Sequence, residues 1–198
     1  RHYFLAHFFR DNYDQFASRL PYVSSGVKIT RIEVWVTNKN GRYDEARNFV
    51  GFMDLGENTR LASDYWNVNT SEAVPSNSSN NILDVLKNEY PDARNINQVT
   101  QVLQPLAAYG ITGGRDFEKV ESARLLKSSE YTLNADLGYI SLKQALTTDE
   151  VLAVAYEYTY QGKVYQVGEF SSDVTTTSQS LYLKMLRSTT VSPELPMW

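Results

Sequence analysis

An α+β fold, built mainly of antiparallel β-sheets and sandwich-like in its second half, with a few short helices, is what this sequence predicts. Three stretches predict it. The first is a hairpin: Val151 to Tyr160 and Lys163 to Phe170 flank Gln161-Gly162. A two-residue link with glycine second suits a type I′ turn, which needs positive φ at both central positions. The second is VKITRIEVWVT, residues 27 to 37, where apolar and polar positions alternate with the period of a strand. The third is a pair of apolar helical stripes, Ile82, Leu83, Val85, Leu86 and then Val99, Val102, Leu103, Leu106.

Taken in order, HYFLAHFF at 2 to 9 is dense in aromatics and reads as a strand. Asp11 is placed to cap a short helix through Leu20, because Tyr13, Phe16, Ala17 and Leu20 fall on one helical face. In strand 27 to 37, Val27, Ile29, Arg31, Glu33, Trp35 and Thr37 share one side, and Lys28, Thr30, Ile32, Val34 and Val36 the other. NFVGFMDL at 48 to 55 is a second strand, expected to pair antiparallel with the first. Residues 56 to 81 are rich in Asn, Ser and Thr and read as a long loop, functional or mobile. Gly110 is a plausible left-handed stop for the second helix. FEKVESARLL, EYTLN and GYISL are successive strands. SQSLYLKMLRS at 178 to 188 fits a strand or a helix equally. The halves differ, residues 1–113 mixed and 114–198 mostly β, within one expected domain over 1–198.

In the hairpin, register sets Tyr158 opposite Tyr165 and Tyr156 opposite Val167. One face then carries Val154, Tyr156, Tyr158, Tyr160, Tyr165 and Val167. Such a face is either sheet packing, worth about 0.2–1 kcal/mol per cross-strand pair, or a contact surface for a partner.

Composition narrows the chemistry. With 198 residues and 42% apolar content the chain buries a real core. The net charge is −4 and no basic run of five occurs, which argues against nucleic acid as a partner. There is no cysteine, so disulfides, thiolate catalysis and zinc–sulfur sites are excluded. No apolar run approaches the ~20 residues of a membrane-spanning helix. The chain opens on Arg1 and stops at Trp198 in ordered-looking sequence, and is expected to be a domain excised from a larger protein.

Motifs of catalysis are mostly missing. His2 and His7 are the two histidines, and their spacing does not put both on one face of one element. ITGGRDF has glycines but not the lysine and hydroxyl of a nucleotide loop. No calcium loop is present, and Asp11 and Asp14 read as helix-start charges. Asp54, Glu57 and Asp64 lie near Tyr65 and Trp66, where acids beside exposed aromatics would line a sugar groove. Two N-x-[ST] triplets, at Asn69 and Asn77, mark surface loop. No catalytic, metal or cofactor residue is assigned. The candidate interaction surface is Tyr65, Trp66, Tyr156, Tyr158, Tyr160 and Tyr165.

Longer blocks are more specific. ITRIEVWVTNKNGRYDEARNFVGFMDLGE, ESARLLKSSEYTLNADLGYISLKQALTTDEVLAVAYEYTYQGKVYQVGEF and LYLKMLRSTTVSPELPMW resemble, in order, a domain that recurs in the SprA/Sov family. The likeness is weakest over residues 56 to 100. Family members are giant outer-membrane proteins of gliding motility and type 9 secretion in Bacteroidetes. The resemblance implies a non-enzymatic soluble domain inserted between strands of a large transmembrane barrel, at the extracellular cap rather than the periplasmic side. It implies as partners the rest of the parent translocon chain, cargo with a C-terminal signal domain, and accessory outer-membrane secretion subunits. It carries over no catalytic residue and no cofactor. Two other readings compete: a cell-surface carbohydrate-binding or adhesion module using the aromatics, and a hydrolase using the loop acids.

Overall fold

In a computed structural model, which describes residues 1–41, 44–59, 64–66, 71 and 73–190, five strands close into a ring. Strand β2 (Val27–Val36) pairs antiparallel with β7 (Leu152–Tyr160) along its whole length. At its far end β2 also pairs with β4 (Phe117–Leu125), through Trp35 with Leu125 and Val36 with Arg124. Strand β4 pairs antiparallel with β3 (Arg47–Phe52), β3 pairs parallel with β9 (Leu181–Arg187), and β9 returns to β7. The circuit β2-β4-β3-β9-β7 is thus a small barrel, with β8 (Lys163–Val167) hanging from β7 as the second arm of its hairpin. The barrel takes β2 and β3 from the first half of the chain and the rest from the second.

A barrel this narrow must be filled by side chains that alternate large and small. Trp35, Phe49 and Met185 fill it, and Ala123, Ala153 and Ala155 make the room. Gly51 completes the fit: a Cβ there would lie 3.2 Å from Met185 Cβ and 3.6 Å from Ala153 Cβ. Phe170 and Val174 join the same cluster from the segment that follows β8.

The outer wall is covered on two flanks. Over β3, β4 and the start of β9 lie α3 (Ile82–Glu89), α4 (Val99–Val102) and two 3-10 turns (Pro91–Arg94 and Gln104–Tyr109), burying Val50, Phe52, Phe117 and Tyr182. Over β2 and β7 lies a second sheet of β1 (His2–Phe4), β6 (Tyr139–Leu142) and β5 (Tyr131–Asn134), with α1 (His7–Asp11) and α2 (Tyr13–Ala17) beside it. Tyr3, Ile140 and Leu142 of that sheet face Val27, Ile29, Val34, Val154, Tyr156 and Tyr158 of the barrel wall. The result is α+β, strand-rich and sandwich-like.

The hairpin turn has the predicted geometry, with φ of 50° at Gln161 and 77° at Gly162, and the predicted register. The first helical stripe is α3, with Ile82, Leu83, Val85 and Leu86 buried. The second is split: Pro105 sits at the start of a 3-10 turn, where its missing N–H does no harm, and Gly110 at φ 82° ends it. The stretch 178 to 188 resolves to a strand, β9.

Four expectations are corrected. The first strand ends at Phe4, and residues 7 to 11 are helical, because Phe9 must turn inward to pack on Tyr156 and Tyr158. The helix expected from Asp11 to Leu20 spans only Tyr13–Ala17, and Leu20 is exposed. Strands β2 and β3 are not neighbours, since β4 lies between them. The faces of β2 also differ from strict alternation. A bulge between Ile29 and Arg31 inserts Thr30, so Val27 and Ile29 join Val34 and Val36 on the outer face while Trp35 points into the barrel.

Candidate functional site

The chemistry-bearing side chains converge on the outer face of β9. Along that strand Leu181, Leu183 and Met185 point into the barrel, so Tyr182, Lys184 and Leu186 point out. Tyr182 meets the helical flank and Leu186 the flank of the small sheet. Lys184 falls at the seam between them and is fully buried. A buried ammonium needs a partner. Glu57, also fully buried, supplies Oε1 at 2.9 Å from Lys184 Nζ, and the Met53 carbonyl accepts a second bond from the same Nζ.

A tight turn after β3 puts Glu57 there. The Glu57 N–H donates to the Asp54 carbonyl at 3.1 Å, and Gly56 between them has φ 73°. A Cβ on Gly56 would lie 2.7 Å from Val167, so only glycine lets the turn press against β8. Asn80 then clamps the turn, its Nδ2 donating to the carbonyls of Asp54 (2.9 Å) and Glu57 (2.8 Å). The His7 N–H donates to Glu57 Oε1 at 3.1 Å, which ties α1 to the same carboxylate. Glu57 Oε2 and the Tyr156 hydroxyl make no hydrogen bond among the described residues. Burial, then the neighbouring Tyr158 and Glu57, pushes the Tyr156 phenol well above its ordinary pKa, so it stays neutral.

A second ion pair, between half-buried Arg94 and buried Glu169, pins the helical flank. Arg94 makes a two-pronged contact with Glu169, at 2.6 and 2.8 Å, and its guanidinium lies 3.9 Å from the centre of the Tyr182 ring. Glu169 Oε1 also accepts the Tyr182 N–H. Burial, eased by Arg94 and reinforced by Glu169, pushes the Tyr182 phenol up to about 12.

The residues singled out from sequence are therefore placed as follows. Asp54 and Glu57 are buried, and Glu57 is held by Lys184, so these acids do not line an open groove. The Asp64 side chain lies outside the described residues. Trp66 is not on the surface: it is buried under the helical flank and donates Nε1–H to the Tyr109 carbonyl at 2.8 Å. Tyr65 is at the surface, stacked on Tyr109 with ring centres 4.0 Å apart. Tyr156 and Tyr158 are also interior rather than surface residues, packed against Phe9, and the Tyr158 hydroxyl donates to the Pro75 carbonyl at 2.5 Å. Tyr160 and Tyr165 are half-buried at the rim of that cluster. The tyrosine face is sheet packing because the small sheet and α1 cover it.

Asn77 is committed as well. Its Nδ2 donates to the Gly168 carbonyl at 3.1 Å, and its Oδ1 accepts the Gly168 N–H at 2.8 Å. Asn69 lies outside the described residues.

Sequence reasoning passed over Lys184 and Arg94. The usable signal was the lone lysine within LYLKML: a charge at an outward position of an otherwise apolar strand has to be matched by an acid elsewhere. Among the described residues, no three His, Asp or Glu side chains gather to hold a metal ion. No helix of the described residues is long and apolar enough to cross a membrane. No protein-family model and no curated protein matches the chain.

Proposed function

We propose that this chain is a non-enzymatic domain of an outer-membrane protein-secretion translocon, serving type 9 secretion and gliding motility as part of the cap or lining of the channel. The three sequence blocks that resemble the SprA/Sov family support the system. The observation that carries the mode of action is the seam at Lys184. Lys184, Glu57 and Arg94, with Glu169, join the two outer layers to one barrel wall instead of facing a cleft. Interlocking of that kind suits a rigid body that shapes a passage. It does not suit a site that turns over a substrate, since Asp54 and Glu57, two of the loop acids a hydrolase would need, are buried.

On this reading the partners are the remainder of the parent chain, passing cargo with its C-terminal signal domain, and accessory outer-membrane subunits. The domain sits on the extracellular side. The decisive experiment is an in-frame deletion of residues 1–198 from the parent gene, with export of signal-bearing cargo and colony spreading as readouts. Both are expected to fail while the truncated parent is still found in the outer membrane. Normal export and spreading would overturn the proposal.

A further inference from the structure

The small sheet has one face on the barrel and the other toward solvent, and the register of its strands arranges the solvent face in two rows. His2, Ser141 and Thr132 stand side by side in one row, and Phe4, Tyr139 and Asn134 in the next. The first row is all hydrogen-bonding groups, with His2 Nδ1 and Ser141 Oγ 2.6 Å apart. The second runs from aromatic to amide, with Asn134 Nδ2 at 3.4 Å from the Tyr139 hydroxyl. Tyr13 of α2 closes the aromatic end, its ring centre 5.7 Å from Phe4 and 6.3 Å from Tyr139. Two hollows lie side by side on this face and share Tyr139 as a wall. One, of about 270 Å³, is lined by the aromatic rings, and the other, of about 460 Å³, by Thr132, Asn134, Ser141 and the charged pair Lys28–Asp136. That pair, at 3.3 Å, neutralises itself.

We infer that this face binds a short neutral oligosaccharide. Ring edges and faces take the C–H surface of a sugar, and hydroxyl and amide groups at fixed spacing take its hydroxyls, a division of labour that suits an amphipathic, uncharged ligand. Among the described residues that line the two hollows, Lys28 and Asp136 are the only Lys, Arg, Asp or Glu and they face each other, which disfavours a phosphate-bearing or acidic ligand. An added peptide strand would use backbone groups at a sheet edge, whereas the polar groups here are side chains standing on the face. Two adjoining hollows, one apolar and one polar, fit an oligomer better than a single sugar. This site is independent of the translocon reading, because it concerns what the face holds in whatever assembly contains the domain.

The test is to titrate the isotope-labelled protein with cellohexaose, chitohexaose and mannohexaose in turn, following backbone amide shifts. At least one should shift the amides of residues 2–4, 132–134 and 139–141 saturably. Tyr139→Ala should bind about tenfold more weakly, the order expected when one ring contact is removed. Thr132→Tyr, a change at an exposed position that leaves the fold intact, should fill the polar hollow and abolish binding, while Tyr65→Ala binds as the parent does. The inference is overturned if none of the three sugars shifts these amides at millimolar concentration. It is equally overturned if the shifts gather around Tyr65 and Tyr109, or if folded Thr132→Tyr binds unchanged.

Discussion

Lys184 and Glu57 illustrate how much a single buried charge depends on its partner. Each has been stripped of water, and each offsets that loss chiefly through the other. Lys184→Met should therefore destabilise the protein by about 3–5 kcal/mol, because it strands a buried carboxylate. Pairing it with Glu57→Leu removes the stranded charge and should recover much of the loss, which urea unfolding of the three variants would reveal. Additive losses would mean that the ion pair is not what joins the turn to β9. The neighbouring tyrosines make a sharper contrast. Both rings are buried, yet only the Tyr158 hydroxyl has a partner among the described residues, the Pro75 carbonyl. Tyr158→Phe should cost about 1–2 kcal/mol, since it leaves a buried carbonyl unmatched, whereas Tyr156→Phe should be neutral or mildly stabilising. Equal effects in thermal unfolding would contradict that difference.

At the level of the element, the β7–β8 hairpin shows what was readable from sequence. Turn chemistry is local: Gln161-Gly162 must supply two positive φ angles, and the residues say so without help from the rest of the chain. Gln161→Asn should raise stability by about 0.5 kcal/mol, roughly 1–2 °C in Tm, because asparagine tolerates the left-handed region better. Gly162→Val should lower it by about 1–2 kcal/mol although nothing crowds the position. Calorimetry on the pair checks both signs. The N-terminal segment was not readable in the same way. HYFLAHFF is apolar apart from His2 and His7, and a nearly continuous apolar run announces burial without announcing its period. The change from strand to helix after Phe4 follows from Phe9 packing on β7, and that contact joins residues far apart in sequence. Likewise the candidate acids were visible, but Glu57 acquires its meaning from Lys184, which no local pattern connects to it.

At the scale of the molecule, barrel closure was the least legible feature. It rests on a parallel pairing between β3 and β9, in opposite halves of the chain, and on two residue pairs joining β2 to β4. The halves differ in composition, but the barrel draws strands from both. Closure also makes the interior unforgiving. Gly51→Val should cost about 1–3 kcal/mol by forcing Met185 and Ala153 apart. Gly51→Val with Met185→Ala should restore part of it, and denaturant midpoints of the two would show whether the space is shared.

Thr30 gives the barrel wall one more property. Because a single extra residue there reverses the phase of β2, Val27 and Ile29 face the same way as Val34 and Val36. Deleting that one threonine would leave hydropathy and strand propensity almost untouched and would make the strand look more regular. It would also leave Val27, Ile29, Val34 and Val36 facing outward and Trp35 facing in, because Thr30 is the residue that the pairing with β7 skips. One-residue length changes in this strand are thus absorbed at the bulge, where the pairing with β7 already skips a residue.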